Sequence, residues 1–273
     1  MYKDIKIWLV FLLISITVYN EVYSAFESIN GGARAESLGG AFTACADDWN
    51  SIFYNPAGLS NMVNGEFSIF YMIPYGLKEL GVKCIAGAFP LKYCGLGIMF
   101  QQMGTELYNE SQFVFSLSRK TYKGLSIGLN VKFLHIGIQR YGSSSFFASD
   151  CGILYNLKDD FRFGMFISNV NKPKIYRDRI PRYYSIGISK RLISGLSLNL
   201  DVSKYEKYPE IIRFGGEMNL TKMFQLRFGV CDNPRKFSGG FGFGIKNLSF
   251  NYAISDHNVL GITNQFSLTL KIM

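Results

Sequence analysis

Large apolar residues alternate with polar or small residues through most of the chain from Glu66 onward. Leu196–Ser203 is the clearest example, because every second residue is Leu or Val and the residues between them are Ser, Asn or Asp. Side chains of a strand point alternately to its two faces, so this pattern predicts strands with one apolar and one polar face. The same alternation recurs in the segments that begin at Leu125, Phe224 and Leu248.

Fourteen segments of this kind can be delimited. They span residues 66–73, 79–89, 94–102, 111–119, 124–139, 146–156, 161–168, 181–190, 195–204, 211–219, 224–231, 237–245, 247–254 and 262–272. Most have the length with which a tilted strand crosses a bilayer, and an even strand number is typical of bacterial single-chain barrels. The sequence therefore predicts an all-β fold, a transmembrane antiparallel β-barrel of about 14 strands.

The connections between the predicted strands differ in length. Those after even-numbered strands are short, such as 157–160 and 220–223. Longer ones follow odd-numbered strands, at residues 103–110, 141–145, 169–180 and 255–261. Short periplasmic turns and longer outward loops are typical of outer-membrane barrels. Tyrosines near the predicted strand ends are expected to form an aromatic girdle, as outer-membrane barrels have.

Composition and charge agree with a barrel and argue against a nucleic-acid partner. Charged residues make up 18% of the chain, below the usual quarter of soluble domains. The mean hydropathy of +0.10 is too low for a helical membrane protein, whereas a barrel exposes only every second strand residue to lipid. The net charge is +9, but its Lys and Arg are scattered and form no nucleic-acid-binding module. Outer-membrane lipid headgroups are the expected partner of this basic surface.

The N-terminus has the pattern of a secretory signal peptide over residues 1–24. Lys3 and Lys6 precede an apolar core at residues 7–18, and Val22 and Ser24 suit cleavage before Ala25. The alternative is an uncleaved membrane anchor, although the apolar core is short for a bilayer. The expected organisation is a signal peptide at 1–24, a plug or hatch segment at 25–62 and a transmembrane barrel at 63–273. The cell outer membrane of a diderm bacterium is the expected location.

The stretch Gly31–Met62 differs from all that follows. It combines small residues, an acidic pair, an aromatic run and an Asn-Pro-Ala-Gly turn. A barrel of fourteen strands leaves interior space, and inward glycines such as Gly128 and Gly187 would enlarge it. We therefore expect this segment to fill the lumen as a plug. The predicted plug or gate residues are Arg34, Phe42, Asp47, Asp48, Trp49, Phe53, Tyr54, Asn55, Pro56 and Gly58.

Two sets of these residues carry specific expectations. Apolar Phe42, Trp49, Phe53 and Tyr54 are expected to line or gate a path beside the plug. Arg34 and the two Asp are expected to bond to polar residues of the wall, because a buried charge is costly without a partner. The alternative is that they only form turns and are solvated. The Asp pair is also expected to cap a short helix, which ends at Asn55 because Pro56 disfavours the helical region there.

The N-terminal motifs resemble the signature of the PorV/PorQ family, which is related to the FadL-type outer-membrane transporters. The residues are Gly32-Ala33-Arg34-Ala35, Leu38-Gly39-Gly40-Ala41-Phe42, Ala46-Asp47-Asp48 and Tyr54-Asn55-Pro56-Ala57-Gly58-Leu59, with a similar last strand at Leu260-Gly261 and Phe266–Leu270. The resemblance implies a fourteen-stranded barrel with an N-terminal hatch. It also implies either passive passage of hydrophobic small molecules or a partner role in a type IX-like secretion system. The terminal Met273 departs from the aromatic residue common in such barrels.

Catalytic or cofactor chemistry is not indicated, and we expect neither an enzyme nor a cofactor. His135 and His257 are isolated, and the five Cys form no CxxC pair and have no His near them.

One predicted outward loop is basic and carries Lys172, Lys174, Arg177, Arg179 and Arg182. It could contact lipopolysaccharide phosphates or an acidic partner, or it could simply be solvated. An exported soluble β-sandwich is a third interpretation of the whole chain.

Overall fold

The computed structural model of the chain describes residues 26, 31–158, 160–175 and 178–272. The predicted signal peptide at 1–24 lies outside the described residues, as does Arg177 of the basic loop. Phe26 is the first described residue, and the continuous account begins at Gly31.

Fourteen antiparallel strands form a closed barrel, as the alternation predicted. They are β1 (Gly65–Ile73), β2 (Val82–Pro90), β3 (Gly95–Gly104), β4 (Tyr108–Lys120), β5 (Leu125–Ile138), β6 (Gly142–Lys158), β7 (Phe161–Ser168), β10 (Tyr183–Ile193), β11 (Leu196–Tyr205), β12 (Glu210–Asn219), β13 (Phe224–Asp232), β14 (Arg235–Ile245), β15 (Leu248–His257) and β16 (Gly261–Ile272). A separate small hairpin, β8 (Lys174–Ile175) and β9 (Asp178–Arg179), lies in the connection between β7 and β10. Pairing of β1 with β16, with Phe67 opposite Leu270, closes the barrel.

The wall is apolar outside and polar inside. On β5, Leu129 and Val131 point outward and are 56% and 54% exposed, whereas Ser126 and Asn130 point inward and are fully buried. This is the reverse of a soluble domain and is the arrangement of a barrel that is surrounded by lipid. The period-two pattern therefore identified both the strands and their faces.

The two rims of the barrel differ less than the sequence suggested. The short-turn end, where β1 begins, has connections of two to four residues; the long-loop end carries the connections 74–81 and 169–182. Three of the four connections predicted to be long are only 105–107, 139–141 and 258–260. The strands continue past the apolar belt, as where Ser143 and Ser145 pair with Gly137 and His135. Polar ladders of this kind carry no apolar alternation, so the pattern could not reveal them.

Residues 31–62, hereafter the inner segment, lie inside the barrel. They form two short helices, α1 (Ala33–Ser37) and α2 (Ser51–Tyr54), and a 3-10 helix at Pro56–Asn61. Further 3-10 turns occur at Pro74–Gly76, Lys78–Leu80 and Tyr122–Gly124. Nearly every residue of the inner segment is buried, because the wall surrounds it.

Wall glycines let the inner segment approach the strands closely. A Cβ at Gly128 would lie 2.2 Å from the amide nitrogen of Ala57, and one at Gly229 would lie 2.0 Å from that of Gly39. Both distances are far shorter than any real contact, so a side chain at either position would displace the inner segment. The glycines with this relation to the segment are Gly95, Gly97, Gly128, Gly152, Gly164, Gly187, Gly215, Gly229 and Gly240.

Candidate functional site

The Asn-Pro-Ala-Gly turn joins helix α2 to the wall. Asn55 is extended and ends the helix, and its side-chain amide donates to the carbonyl oxygens of Thr43 at 2.8 Å and of Ile153 on β6 at 3.0 Å. Pro56 then begins the 3-10 helix. A Cβ at Gly58 would lie 2.5 Å from the carbonyl oxygen of Ala46, so only glycine fits this close approach.

The predicted Asp cap of helix α2 is wrong in detail. The N-cap position is Asn50, and its side chain makes no capping bond. Asp48 instead accepts a hydrogen bond from the backbone amide of Asn50 at 2.8 Å, just before the helix starts. The carboxylate thus stabilises the turn that leads into the helix, because it satisfies an amide that the helix itself leaves free.

A buried ion network fastens the inner segment at the short-turn end. The Arg34 guanidinium donates to Asp47 at 2.7 Å, to Asp48 at 2.9 Å and to Glu217 of β12 at 3.0 and 3.1 Å. Arg227 of β13 donates to the same Glu217 at 2.6 Å. Burial alone would lower the pKa of Arg34, but the three carboxylates around it raise that pKa well above its usual value. The Arg34 guanidinium therefore stays charged across the physiological range.

An open vestibule of about 760 Å³ lies at this end. Arg34, Asp47, Asp48 and Trp49 of the inner segment line it, together with wall residues such as Lys271. Arg162 of β7 also lines it and bonds Asp47 at 3.3 Å. The vestibule is thus strongly charged and mixed in sign.

Further hydrogen bonds tie the inner segment to other sides of the wall. Thr43 donates its amide to Asp201 of β11 at 2.9 Å, and its hydroxyl lies 2.7 Å from that of Ser185 on β10. The side chain of Asn130 on β5 donates to the Ile52 carbonyl at 2.9 Å. Glu66 of β1 accepts from the Trp49 amide at 3.0 Å. These contacts lie on widely separated strands, so the segment is held from several directions.

An aromatic cavity of about 90 Å³ lies toward the long-loop end. Its apolar and aromatic lining comes from both the inner segment and the wall: Phe26, Ile52, Phe53, Tyr54, Met99, Val114, Leu134, Phe166, Tyr183 and Tyr205. Lys132 and Asp150 also reach it, but they form an ion pair at 2.6 Å. Thr43, Gln112, Ser168 and Asn169 complete the lining, so the aromatic side of the cavity is the part suited to an apolar molecule with a ring.

A second cavity, of about 220 Å³, lies at the same end and is polar. Two tyrosines separate it from the aromatic cavity, because their rings line the aromatic side and their hydroxyls bond charged residues of the polar side. Tyr54 donates to Glu36 at 3.0 Å, and Tyr183 accepts from Arg213 at 3.0 Å. Burial would raise the pKa of Glu36, but the Lys236 ammonium at 2.8 Å and the Tyr54 hydroxyl outweigh burial and lower it.

Comparison with known proteins gives fold relatives only. No protein family and no curated protein matches the sequence. Solved structures do match. A monoaromatic hydrocarbon channel, CymD, is 14% identical with a TM-score of 0.71 over 91% of this chain and 99% of that one. A FadL homologue of Pseudomonas aeruginosa is 12% identical, with a TM-score of 0.66 over 88% and 98%. The toluene transporter TodX of Pseudomonas putida is 11% identical, with a TM-score of 0.65 over 88% and 96%. The fold is thus that of FadL-like barrels.

Within the described residues, no helix has the length and apolar character needed to span a membrane. The same residues contain no cluster of three or more His, Cys, Asp or Glu placed to hold a metal ion.

The predicted aromatic gate residues separate into different environments. Phe53 and Tyr54 line the aromatic cavity, whereas Trp49 lines the vestibule and packs on Phe53 and Phe70. Phe42 is fully buried, with its ring 5.4 Å from that of Tyr54 and the Arg34 guanidinium 5.3 Å above it. Phe42 therefore supports the segment from within instead of lining the aromatic cavity.

The basic loop holds fewer free charges than its sequence suggested. Arg182 forms an ion pair with Glu206 at 2.8 Å, and Lys172 lies 3.9 Å from the same carboxylate. The Arg182 hydrogen bond lowers the pKa of Glu206, so the carboxylate stays charged. Lys174 and Arg179 are exposed on the small hairpin, and they leave a modest basic surface.

The tyrosine girdle was predicted too broadly. Tyr93 and Tyr141 are 70% and 84% exposed at the strand ends, but Tyr108, Tyr183 and Tyr205 point inward. The prediction used only closeness to a strand end, so it did not separate the outward tyrosines from the inward ones. The parity of neighbouring inward residues, such as Ser185 and Ser203, was the signal that could have separated them.

Several charged residues of the site were missed. Glu36, Arg213 and Lys236 line the polar cavity. Of these, only Arg213 and Lys236 could have been recognised as inward, from the alternation of residues along their strands. Asp201 and Glu217 also point into the lumen. Glu217 is paired with two arginines, whereas Asp201 accepts from the backbone of the inner segment.

Proposed function

We propose that the protein is an outer-membrane barrel through which small hydrophobic molecules pass by diffusion. The observation that carries this proposal is the aromatic cavity, enclosed between the inner segment and the wall of a barrel whose outer surface is apolar. A ring-shaped apolar molecule would leave water and gain contact with Phe53, Phe166 and Tyr183.

The fold comparison supports the same proposal. Two of the similar structures are described as a monoaromatic hydrocarbon channel and a toluene transporter. Identity to them is low, so the argument for this chain rests on its own cavity. The N-terminal leader, with its basic start and short apolar core, supports export before insertion into the outer membrane.

The inner segment acts in this proposal as a plug with one movable side chain. The cavity of about 90 Å³ is smaller than the roughly 150 Å³ that holds a benzene ring. Phe53 is the candidate for movement, because it is only partly buried and its ring rests on Gly31, which has no side chain. The ion network around Arg34 meanwhile keeps the rest of the segment in place.

Passage is tested by uptake into cells whose outer leaflet is lipopolysaccharide, since toluene crosses a simple phospholipid bilayer unaided. The host lacks channels of this kind, and its energy supply is poisoned. Radiolabelled toluene uptake is expected to rise several-fold on expression of the protein, with uptake of glucose unchanged. Equal increases for both solutes would indicate an unselective pore, and no increase for toluene would contradict the proposal.

A second candidate is a scaffold role of the PorV/PorQ type, without transport. Two observations favour it: the N-terminal motifs and the fastening of the inner segment to strands on several sides of the wall. Gentle detergent extraction would then recover the barrel with secretion-system proteins. Recovery of the barrel alone, together with toluene uptake, would exclude this role.

A further inference from the structure

The polar cavity at the long-loop end has no part in the passage of apolar molecules. Its lining is polar and charged, with Ser255, His257 and Thr263 of β15 and β16 facing Arg213 and Lys236. The tyrosine partition separates it from the aromatic cavity. Its volume of about 220 Å³ exceeds that of the aromatic cavity, so it has room for a solute as well as water.

Arg213 brings a buried positive charge to this cavity. The residue is 8% exposed, and its Nη1 donates to the hydroxyls of Tyr183 and Ser203. The Asp201 carboxylate, opposite it in the register of β11 and β12, attracts Arg213 electrostatically, but it forms no salt bridge with it, does not line the cavity and accepts from the Thr43 amide. Among the described residues Arg213 has no salt bridge with a carboxylate. A buried cation without a salt-bridge partner is poorly compensated, so the cavity favours an anion.

The remaining charges do not cancel this one. Lys236 and Glu36 neutralise each other at 2.8 Å. The Nδ1 of His257 accepts from the amides of Val259 and Leu260, both at 3.2 Å. Those bonds assign the proton of a neutral imidazole to Nε2, which makes the ring a further donor. The residues that line the cavity therefore carry a net charge of about +1 and offer more donors than acceptors.

The shape of the free donors indicates a carboxylate. Both side-chain bonds of Arg213 use Nη1, which leaves the edge formed by Nε and Nη2 without a partner among the described residues. That edge carries two parallel N–H groups, whose spacing matches the two oxygens of a carboxylate. The side-chain oxygen Oε1 of Gln265 is buried without a partner and would accept from a water or a ligand hydroxyl.

We propose that the polar cavity is a binding site for a small carboxylate anion, held on the Nε–Nη2 edge of Arg213. The site is separate from the aromatic cavity and does not depend on passage of hydrophobic molecules. A barrel with both sites would bind an apolar solute and a small organic acid at the same rim, on opposite sides of the tyrosine partition.

Calorimetry on the folded full-length protein in mild detergent tests the site, with acetate as the probe and its neutral isostere acetamide as the ligand control. Ionic strength is held constant with chloride. Acetate is expected to bind about tenfold more tightly than acetamide, because only acetate supplies the counter-charge. Equal binding of the two ligands, or no acetate binding by the wild-type protein, would overturn the proposal without any variant.

Variants then locate the site. Arg213→Met is expected to weaken acetate binding about tenfold or more, whereas Arg182→Gln, at the same rim but paired with Glu206, should leave it unchanged. Ser255→Asp places a carboxylate inside the cavity and should abolish acetate binding while the barrel stays folded. This second variant decides the question if Arg213→Met does not fold. Undiminished acetate affinity in a folded Arg213→Met or Ser255→Asp protein would contradict the assignment.

Discussion

Arg34 and Glu217 form a two-point salt bridge, with Nε 3.0 Å from Oε2 and Nη2 3.1 Å from Oε1. The two residues are 183 positions apart in sequence, and they join the inner segment to β12. Their side chains are 20% and 13% exposed, so solvent screens the pair only weakly. The bridge makes the inner segment part of the barrel's folding unit, because its loss leaves a carboxylate cluster that is buried and poorly compensated.

Removal of the Arg34 charge should therefore be strongly destabilising. Arg34→Met leaves Asp48 without its cationic partner and Glu217 with Arg227 alone. The free energy of unfolding, measured by urea titration in mild detergent, should fall by about 3 kcal/mol. Arg34→Lys retains the charge but loses the two-point geometry, so its loss should be intermediate.

Arg182→Gln is the matched control for this prediction. It removes an arginine from an ion pair with Glu206 that is 27% and 39% exposed, and its expected cost is at most about 1 kcal/mol. Similar losses for Arg34→Met and Arg182→Gln would show that burial of the Arg34 network contributes nothing to stability.

The loss of stability on replacing a wall glycine by alanine is expected to depend on how closely other atoms approach that glycine. Gly128→Ala places a methyl group 2.2 Å from the backbone nitrogen of Ala57, and it should destabilise the protein by about 1–3 kcal/mol because backbone must shift. At Gly244 the nearest atom to the new Cβ is the Leu248 carbonyl oxygen at 3.8 Å, and Gly244→Ala should change stability by less than about 0.5 kcal/mol. Urea titration of both variants compares them, and equal costs would contradict the close-approach explanation.

Acid should selectively weaken the contacts of Glu36. The Lys236 ammonium and the Tyr54 hydroxyl lower its pKa in the folded protein below the unfolded value. A carboxyl group of this kind stabilises the fold fully above the unfolded pKa of about 4.3. The contribution disappears as the pH falls through the lower folded pKa.

Comparison of wild-type protein with Glu36→Gln isolates this contribution. The variant should be less stable at pH 7, and the gap in the free energy of unfolding should narrow as the pH falls below about 4.3. Urea titrations at a series of pH values measure the gap. A gap that stays constant into acid would show that ionised Glu36 does not stabilise the fold.

The barrel was largely predictable because side chains that face lipid must be apolar, and this requirement produces an alternating pattern in the sequence. On β11, Leu200 and Val202 alternate with Asn199 and Asp201, and the structure exposes the first pair and buries the second. Beyond the apolar belt this requirement ends. The Ser-rich start of β6 therefore looked like a loop, although it forms a regular ladder with β5.

The site was less predictable because its contacts join residues that are remote in sequence. Arg34, Asp47 and Asp48 stood out as charges in a segment expected to be buried, but nothing local indicated Glu217 as their partner. Glu36 meets Lys236 across 200 positions. Strand parity can mark a residue as inward, but it does not give the rotation of the inner segment against the wall, which decides the pairing.

The most direct measurement of the proposed passage compares one bulky substitution on the two faces of the wall. Val114 lines the aromatic cavity and is 2% exposed, whereas Val131 of the neighbouring strand faces outward and is 54% exposed. Toluene uptake by poisoned cells should fall several-fold with Val114→Trp, which fills the cavity, and stay at the wild-type level with Val131→Trp. Unchanged uptake with a folded Val114→Trp barrel would contradict a path through the aromatic cavity.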